Sequence, residues 1–458
     1  MNTPAFSNSS AEHNDSSSEP NNSNTAHSQN DIRLSETVKI AQRLIQFDTT
    51  NRGQGNANPE RPAAEWVVQY LAELGVAAEI YEAAPGRATV VAQIAGADPQ
   101  LPGLVLHGHL DVVPADPKNW SVDPFAGVIK NGMLWGRGAV DMKDMDAMML
   151  TAVAEILRAG EKPRRNLTLV FFADEENGGV YGSEWMVRHH PEVFAGAKYA
   201  ISEVGGYSIY LGDKRAYLLQ TGEKTANWMR LTARGVAEHG SRVATDNPLV
   251  KLSAALTRLG NHKWPIELGA TTTALLQAVS ELTGTSGTPE EILAQTGTAA
   301  GFLQPSLCAT SNPTVIDAGY MQNVIPDTAT AIIDVRTLPE KQEETMRQVA
   351  EILGPEIEME PLVQAVGLET EFAGEAVDAM IASLKKFDPE AVVLPYLLSG
   401  GTDNKALSAL GIIGYGFAPL LLPPELDFPA MFHGVDERVP LQALDFGHQV
   451  LTDLLRTF

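Results

Sequence analysis

The stretch Leu-Val-Leu-His-Gly-His-Leu-Asp-Val-Val-Pro, residues 104–114, decides the fold class of this chain. Its apolar start predicts a short buried β-strand, and polar side chains follow where that strand ends. His109 and Asp111 are two residues apart, so both side chains project to the same side of an extended chain. His107 shares this spacing, and the sequence alone leaves both histidines as candidate metal ligands. Ligands of open α/β sheets bind at this edge.

Four further polar clusters occur along the chain, most of them where an apolar run ends. They are GRGAVDMKD (136–144), DEENGG (174–179), SEVGG (202–206) and FHGVDERVP (432–440). Taken singly, each has an ordinary explanation, because an aspartate before a helix, such as Asp141, is usually a cap. The three adjacent acids at 174–176 indicate either a solvated loop or a cation site. Taken together, two histidines and three carboxylates match the ligands of two zinc-like ions that share one carboxylate.

The apolar periodicity around these clusters alternates between helix and strand. The segments with this pattern are the predicted helices 35–47, 62–74 and 143–157 and the predicted strands 88–94, 104–106 and 167–172. From about residue 377 the pattern returns, as a helix followed by strands at 391–398 and 412–417. The sequence therefore predicts α/β layers built from two separated parts of the chain.

A smaller α+β module is predicted between these parts, over residues 221–362. Its predicted elements are a strand at 227–233, a helix at 248–259, a strand pair at 314–324 and 328–336, and a helix at 343–353. This order indicates a small sheet with helices on one side. Residues 261–311 read as an insertion of partly helical structure within this module.

Composition and charge exclude several classes of partner. The 458 residues are 44% hydrophobic and 20% charged, as in ordinary globular proteins, and the net charge of −24 disfavours nucleic-acid and membrane partners. Cys308 is the single cysteine, so no intrachain disulfide is expected, and no apolar run is long enough to span a bilayer. Residues 1–30 are polar and lack the apolar core of a signal peptide, which predicts a disordered tail and a cytoplasmic location.

The motifs HGHLDVVP, GRGAVDMKD, DEENGG, SEVGG and FHGVDERVP, in this order, resemble those of the M20 metallopeptidase family. That family includes glutamate carboxypeptidase, aminoacylase, acetylornithine deacetylase and succinyl-diaminopimelate desuccinylase. The resemblance runs from about residue 35 to the C-terminus. It implies an α/β fold whose zinc-peptidase-like catalytic domain, residues 31–220 and 363–458, has a mixed, largely parallel sheet. A smaller α+β lid or dimerisation domain interrupts it.

The resemblance also implies two divalent metal ions, zinc first, with cobalt or manganese as alternatives. His109, Asp141 and Glu203 would hold one ion. Asp141 would bridge to a second ion that Glu176 and His433 complete. The family usually has a cis peptide after the bridging aspartate, here Asp141–Met142.

Further roles follow from the same resemblance. Glu175 resembles the general base that activates water, and Asp111 the acid that steadies His109. His239 resembles a histidine that reaches towards the substrate from the smaller domain, commonly that of a partner subunit. The expected assembly is a homodimer through the lid domain. The residues that resemble the substrate-binding positions of the family are Asn323, Arg336, Gly401 and Thr402.

The implied activity is cleavage of a peptide or amide bond next to a free carboxylate, of the carboxypeptidase or dipeptidase type. The same mechanism serves an N-acyl amino acid deacylase, and this alternative stays open. A non-catalytic metal-binding protein is a remote alternative, and Glu175 argues against it because binding alone needs no base. The sequence contains neither a Gly-x-Ser-x-Gly elbow nor a dinucleotide-binding glycine pattern.

Overall fold

The structure is a computed structural model that describes residues 34–53 and 55–458. The predicted disordered tail, residues 1–30, lies outside them. The α-helices of the described residues are α1 (Glu36–Ile45), α2 (Arg61–Glu73), α3 (Lys143–Arg158), α4 (Ser183–His189), α5 (Pro248–Asn261), α6 (Ala270–Thr283), α7 (Pro289–Leu293), α8 (Ala300–Leu303), α9 (Gln342–Leu353), α10 (Glu375–Phe387), α11 (Asn404–Ser408) and α12 (Leu441–Thr457). Within this part of the chain, no helix combines the length and apolar character that a membrane span requires.

The strands of the same residues form a large sheet of ten strands, a small sheet of four strands, and two minor sheets of two and three strands. They are β1 (Ala78–Ala84), β2 (Arg87–Ile94), β3 (Gly103–His109), β4 (Val128–Lys130), β5 (Met133–Trp135), β6 (Leu167–Phe172), β7 (Ala197–Ser202), β8 (Ser208–Leu211), β9 (Lys214–Glu223), β10 (Thr225–Arg234), β11 (Glu238–His239), β12 (Thr310–Ala318), β13 (Val324–Ile325), β14 (Thr328–Thr337), β15 (Ile357–Gln364), β16 (Leu368–Glu369), β17 (Val392–Leu398), β18 (Ile413–Gly416) and β19 (Arg438–Pro440).

The large sheet is mixed and has the order β1-β2-β6-β3-β7-β18-β9-β16, with β8 and β17 also paired to β9. Strands β6, β3, β7 and β18 are parallel to one another in its centre, while β1 and β2 pair antiparallel at one edge. Helices α1, α3 and α12 pack together, with α3 against β3, and α2 packs against β1 and β2. Long apolar runs form the central strands because helices and loops bury them there. The predicted α/β class is confirmed.

The small sheet has the antiparallel order β12-β14-β10-β15. Every second residue of β14 is buried, which is the period of a strand with one covered face. Leu252 of α5 and Val349 of α9 join Leu231 and Ile333 of the sheet in one apolar core. The helices α5 and α9 therefore cover one face of this sheet, as the sequence predicts.

The prediction of one strand over residues 314–324 is wrong. Strand β12 ends at Ala318, and Gly319 follows with a φ of +80°, a conformation that favours glycine. The short strand β13 then pairs with β11 instead of continuing the small sheet. The chain turns here because a residue in the left-handed region cannot continue an extended strand.

Residues 270–307 pack on the large sheet, although the sequence analysis assigns them to an insertion in the smaller module. Helix α6 contacts β17 and β9, and α8 contacts β17. Lys224 is buried and donates from Nζ to the carbonyl oxygens of Pro305 (2.9 Å) and Cys308 (2.7 Å). Lys224 stands between β9 and β10, where the chain leaves the large sheet for the small one. The division into catalytic and lid domains remains our proposal, with this segment placed against the catalytic sheet.

Candidate metal centre and active site

The predicted acids and histidines meet at the carboxyl ends of the central strands. His109 ends β3, Glu203 follows β7, and Asp141 stands two residues before α3. His109 Nε2 lies 3.2 Å from Asp141 Oδ1 and 3.7 Å from Glu203 Oε1. The ligand atoms of these three buried residues lie within 4.8 Å of one another. They form a first ligand group.

A second ligand group shares Asp141 with the first. His433 Nε2 lies 3.1 Å from Asp141 Oδ2 and 3.1 Å from Glu176 Oε2. Burial raises the pKa of Asp141, but hydrogen bonds from His109 and His433 outweigh it and hold the pKa well below its ordinary value. The donor set of imidazole and carboxylate groups is one that zinc, cobalt and manganese accept. The residues therefore fit divalent metal ions, whose charge would offset the repulsion among the clustered carboxylates.

His107 does not belong to either group. Its Nε2 lies 2.9 Å from Asn404 Oδ1, and its ring packs edge-on against Phe172. Burial lowers the pKa of His107 to about 4, so the ring is neutral at physiological pH. The structure thus brings His109, and not His107, to the acids.

Asp111 connects His109 with the turn that carries the two glutamates. Its Oδ1 accepts a hydrogen bond from Glu175 N (3.1 Å) and its Oδ2 one from Glu176 N (3.2 Å). His109 Nδ1 lies 3.0 Å from the backbone oxygen of Asp111 and 3.5 Å from Oδ1. Asp111 therefore orients the imidazole and both glutamates at once.

Glu175 lies beside the first group without joining either one. Its Oε2 is 3.9 Å from His109 Nε2, and its side chain is 14% exposed, towards a cavity. Burial raises the pKa of Glu175 well above its ordinary value; His109 opposes this effect, while the charges of Glu203 and Asp403 add to it. A carboxyl group in this environment can both accept and return a proton.

A buried polar network lies behind the turn, and some of its residues carry no signal in the sequence. Asn51 Nδ2 donates to Asp111 Oδ2 and to Asp174 Oδ1, both at 2.9 Å. Arg87 lies 2.8 Å from Asp174 and 2.7 Å from Glu60. Asn51, Glu60 and Arg87 lie outside the motifs, and an arginine at the start of an apolar strand is the one signal that could have indicated them.

The loop that delivers Asp141 is held by Glu437, another residue to which the sequence analysis gave no role. Glu437 Oε1 accepts hydrogen bonds from Val140 N (2.5 Å) and Asp141 N (3.0 Å). Its Oε2 accepts from Gly138 N (3.1 Å) and from Arg137 (2.6 Å). The Asp141–Met142 peptide bond is cis, as expected. Glu437 thus accepts hydrogen bonds from three backbone N–H groups of this loop, which a buried loop must pair with an acceptor.

A cavity of about 350 Å³ opens beside both ligand groups, and Arg336, Gly401 and Thr402 line it. Thr402 donates from its backbone N (2.9 Å) and Oγ1 (2.6 Å) to the buried Glu223, which fixes this loop. Arg336 pairs through Nε and one terminal nitrogen with Asp334, at 2.7 and 3.0 Å. A guanidinium group has five N–H donors, so further donors remain for a ligand.

His239 and Asn323 lie together, away from the other predicted residues. Strands β11 and β13 pair here, and Gly240 N donates to the carbonyl oxygen of Asn323 (2.7 Å). Both side chains are exposed, and His239 Nδ1 lies 2.8 Å from Ser241 Oγ. Neither is among the described residues that line the cavity. The role of His239 at a partner subunit's site and the role of Asn323 in substrate binding stay predictions.

A mixed α/β sheet with histidines and carboxylates gathered beside the carboxyl ends of its central strands is typical of metal-dependent hydrolases. The sequence matches the model of peptidase family M20/M25/M40 over residues 105–457. Because this match covers most of the chain, the chain belongs to the M20/M25/M40 peptidase family. Members of this family hydrolyse amide or peptide C–N bonds.

Individual relatives show the same affiliation. The chain is 25% identical to aminoacylase-1 of Sus scrofa over 408 residues, which cover 86% of this chain and 89% of that protein. It is 27% identical to the N-fatty-acyl-amino acid synthase/hydrolase PM20D1 of Bos taurus over 375 residues, 77% of this chain and 73% of the relative. The M20 family metallo-carboxypeptidase Sso-CP2 of Sulfolobus solfataricus shares the fold, with a TM-score of 0.72, 19% identity, and coverage of 92% of this chain and 99% of that one.

Proposed function

We propose that this protein is a hydrolase with two divalent metal ions, zinc as the first choice, that cleaves a peptide or amide bond next to a free carboxylate. Carboxypeptidases and dipeptidases catalyse this reaction. The observation that carries the proposal is the sharing of Asp141 between two ligand groups, with Glu175 beside them and attached to neither. A site that only bound metal would have no need of Glu175.

The two ligand groups and Glu175 have separate roles in the proposed reaction. The metal ions, when bound by the two ligand groups, would polarise the scissile carbonyl and lower the pKa of a water molecule. Glu175 takes one proton from that water, whose oxygen forms a bond to the carbonyl carbon. The C–N bond then breaks, and Glu175 gives the proton to the leaving nitrogen.

Substrate binding is proposed for the residues around the cavity. The free N–H donors of Arg336 suit a carboxylate, and Gly401 and Thr402 shape the adjoining loop. His239, from the smaller domain of a partner subunit, would donate to the developing oxyanion. A homodimer through the lid is supported by the edge strand β12, on which Val315 (51% exposed) and Ile316 (61% exposed) face solvent.

An N-acyl amino acid deacylase is the second candidate. The observation that favours it is the similarity to aminoacylase-1 and to an N-fatty-acyl-amino acid synthase/hydrolase, described above. The mechanism is unchanged, because an acylated amino acid also has a free carboxylate next to its amide bond. The two candidates differ only in the group on the carbonyl side.

The test combines metal content with amine release from dipeptides, C-terminal glutamyl peptides and N-acetyl amino acids, with added zinc, cobalt or manganese. We expect two metal ions per chain and hydrolysis of one substrate group. Glu175→Gln should lower turnover about 10²- to 10⁴-fold and keep the metal. Glu425→Gln, at an exposed position, is the matched control and should change neither. Turnover retained by Glu175→Gln would contradict the base assignment, and absence of bound metal under every loading would contradict the centre.

A further inference from the structure

One wall of the cavity is apolar and aromatic. Val204, Phe302 and Phe432 line it. The rings of Phe302 and Phe432 are stacked, with centroids 6.0 Å apart and planes at 17°. Tyr396 supports Phe302 from behind at 5.9 Å, and Phe428 packs edge-on against Phe432 at 5.5 Å. This aromatic wall, defined by Val204, Phe302 and Phe432, gives an apolar group of a ligand a surface of fixed shape.

The aromatic wall is connected directly to both ligand groups. Phe432 precedes His433, and Val204 follows Glu203. Val204 has a φ of +57°, an unusual conformation for a β-branched residue, and its carbonyl oxygen accepts a hydrogen bond from the Tyr396 hydroxyl. Backbone strain of this kind persists only where surrounding contacts hold it, and such sites are often functional. An apolar group on the wall therefore lies next to the reacting carbonyl.

Phe302 reaches the cavity from helix α8, in the segment that packs on the large sheet. This segment lies between strands β11 and β12 in sequence, yet contacts β17. The hydrogen bonds from Lys224 to Pro305 and Cys308 hold it in place close to Phe302. The position of the ring is thus set by buried contacts rather than by a free loop.

The ammonium and guanidinium groups of the cavity belong to Lys405 and Arg336, which are not part of the aromatic wall. Burial lowers the pKa of Lys405, and the charges of Glu223, Arg336 and Glu175 also act on it. Gly401 leaves the space that the Lys405 Nζ occupies. Glu175 gives its proton to the leaving nitrogen, so the leaving amino acid and its carboxylate belong on this side. The other substituent of the scissile carbonyl, the acyl group, is left to the aromatic wall.

We propose that Phe302, with Phe432 and Val204, binds the acyl portion of the substrate and makes the enzyme prefer apolar acyl groups larger than acetyl, aliphatic or aromatic. This inference rests on the proposed function and specifies its substrate class. It makes Phe302 a specificity-determining residue of the reaction.

The test measures kcat/KM of the metal-loaded enzyme for acetyl, butanoyl, hexanoyl and phenylacetyl derivatives of leucine and of glutamate. We expect a rise of about fourfold per added methylene until the wall is covered. Phe302→Ala should lower kcat/KM for the hexanoyl and phenylacetyl substrates by at least about tenfold more than for the acetyl substrates. Phe302→Leu should retain most of the preference, and Gln304→Ala, an exposed neighbour on the same segment, should retain all of it.

The outcomes separate this inference from the proposed function. Hydrolysis of acetyl substrates or dipeptides without any acyl preference, or a Phe302→Ala loss that follows the leaving amino acid instead, would overturn the inference and leave the proposed function standing. Absence of turnover with every substrate would overturn both. Inhibition of the unmodified enzyme by acetate and hexanoate compares the two groups without a variant, and equal inhibition would also overturn the inference.

Discussion

Glu437→Gln tests whether the loop carrying Asp141 depends on a buried carboxylate. Glutamine keeps one oxygen for the N–H groups of Val140 and Asp141. Its amide NH₂ then faces Gly138 N and the Arg137 guanidinium. All three groups are donors, so these hydrogen bonds are lost. An unsatisfied buried N–H costs about 1–3 kcal/mol, and a buried charge without its partner about 3–5 kcal/mol. Arg137 keeps a hydrogen bond to Gly434 O at 2.9 Å, so we expect each cost to lie at the low end of its range. Together the two costs lower the free energy of unfolding by about 4 kcal/mol.

The assay is urea unfolding at pH 8, above the pKa of about 7 to which burial raises Glu437. Trp120 lies 5.2 Å from the Arg137 guanidinium, so tryptophan fluorescence reports on this region. Metal affinity should also fall by about 10- to 100-fold, because the loop positions Asp141. Glu425→Gln is the exposed control and should stay within about 0.5 kcal/mol.

The double variant Arg137→Met with Glu437→Gln removes the charge that the single variant leaves without its partner and keeps an oxygen for Val140 N and Asp141 N, so it should recover part of the lost stability. A loss below about 1 kcal/mol in Glu437→Gln would refute the reasoning, because the buried pair would then contribute no more than an exposed one.

The other predictions concern the ligands, the substrate and pH. His109→Ala should lose bound metal by elemental analysis, whereas His107→Ala should keep it, and equal loss in both would contradict the assignment of His109. Arg336→Lys should raise KM by about tenfold with little change in kcat, since lysine lacks the planar fork; a fall in kcat alone would contradict a carboxylate-binding role. Burial lowers the pKa of Lys224 from 10.5 to about 8, so the folded protein releases this proton first and gains stability as pH rises from 8 to 10.5. Lys224→Met lacks this gain, and its deficit in urea unfolding should grow between pH 8 and 10; a constant deficit would show that the lysine stays charged.

The sequence by itself determined the strands that carry the site and the residues at their ends. Apolar runs such as 167–172 form strands wherever they are buried, and the alternation of side chains places His109 and Asp111 together without knowledge of the rest of the chain. Motif order then indicated the family. These features are local, so they are readable from the sequence.

Only the tertiary structure decided which residues support the site. His109 rather than His107 meets the acids because the His107 ring lies within hydrogen-bond distance of Asn404, which belongs to a distant helix. Glu437 reaches the loop of Asp141, and Phe302 enters the cavity from a segment whose sequence indicates only partial helix. Each of these contacts joins parts of the chain that are far apart in sequence. Their formation depends on how whole sheets and helices pack, which no local pattern of residues encodes.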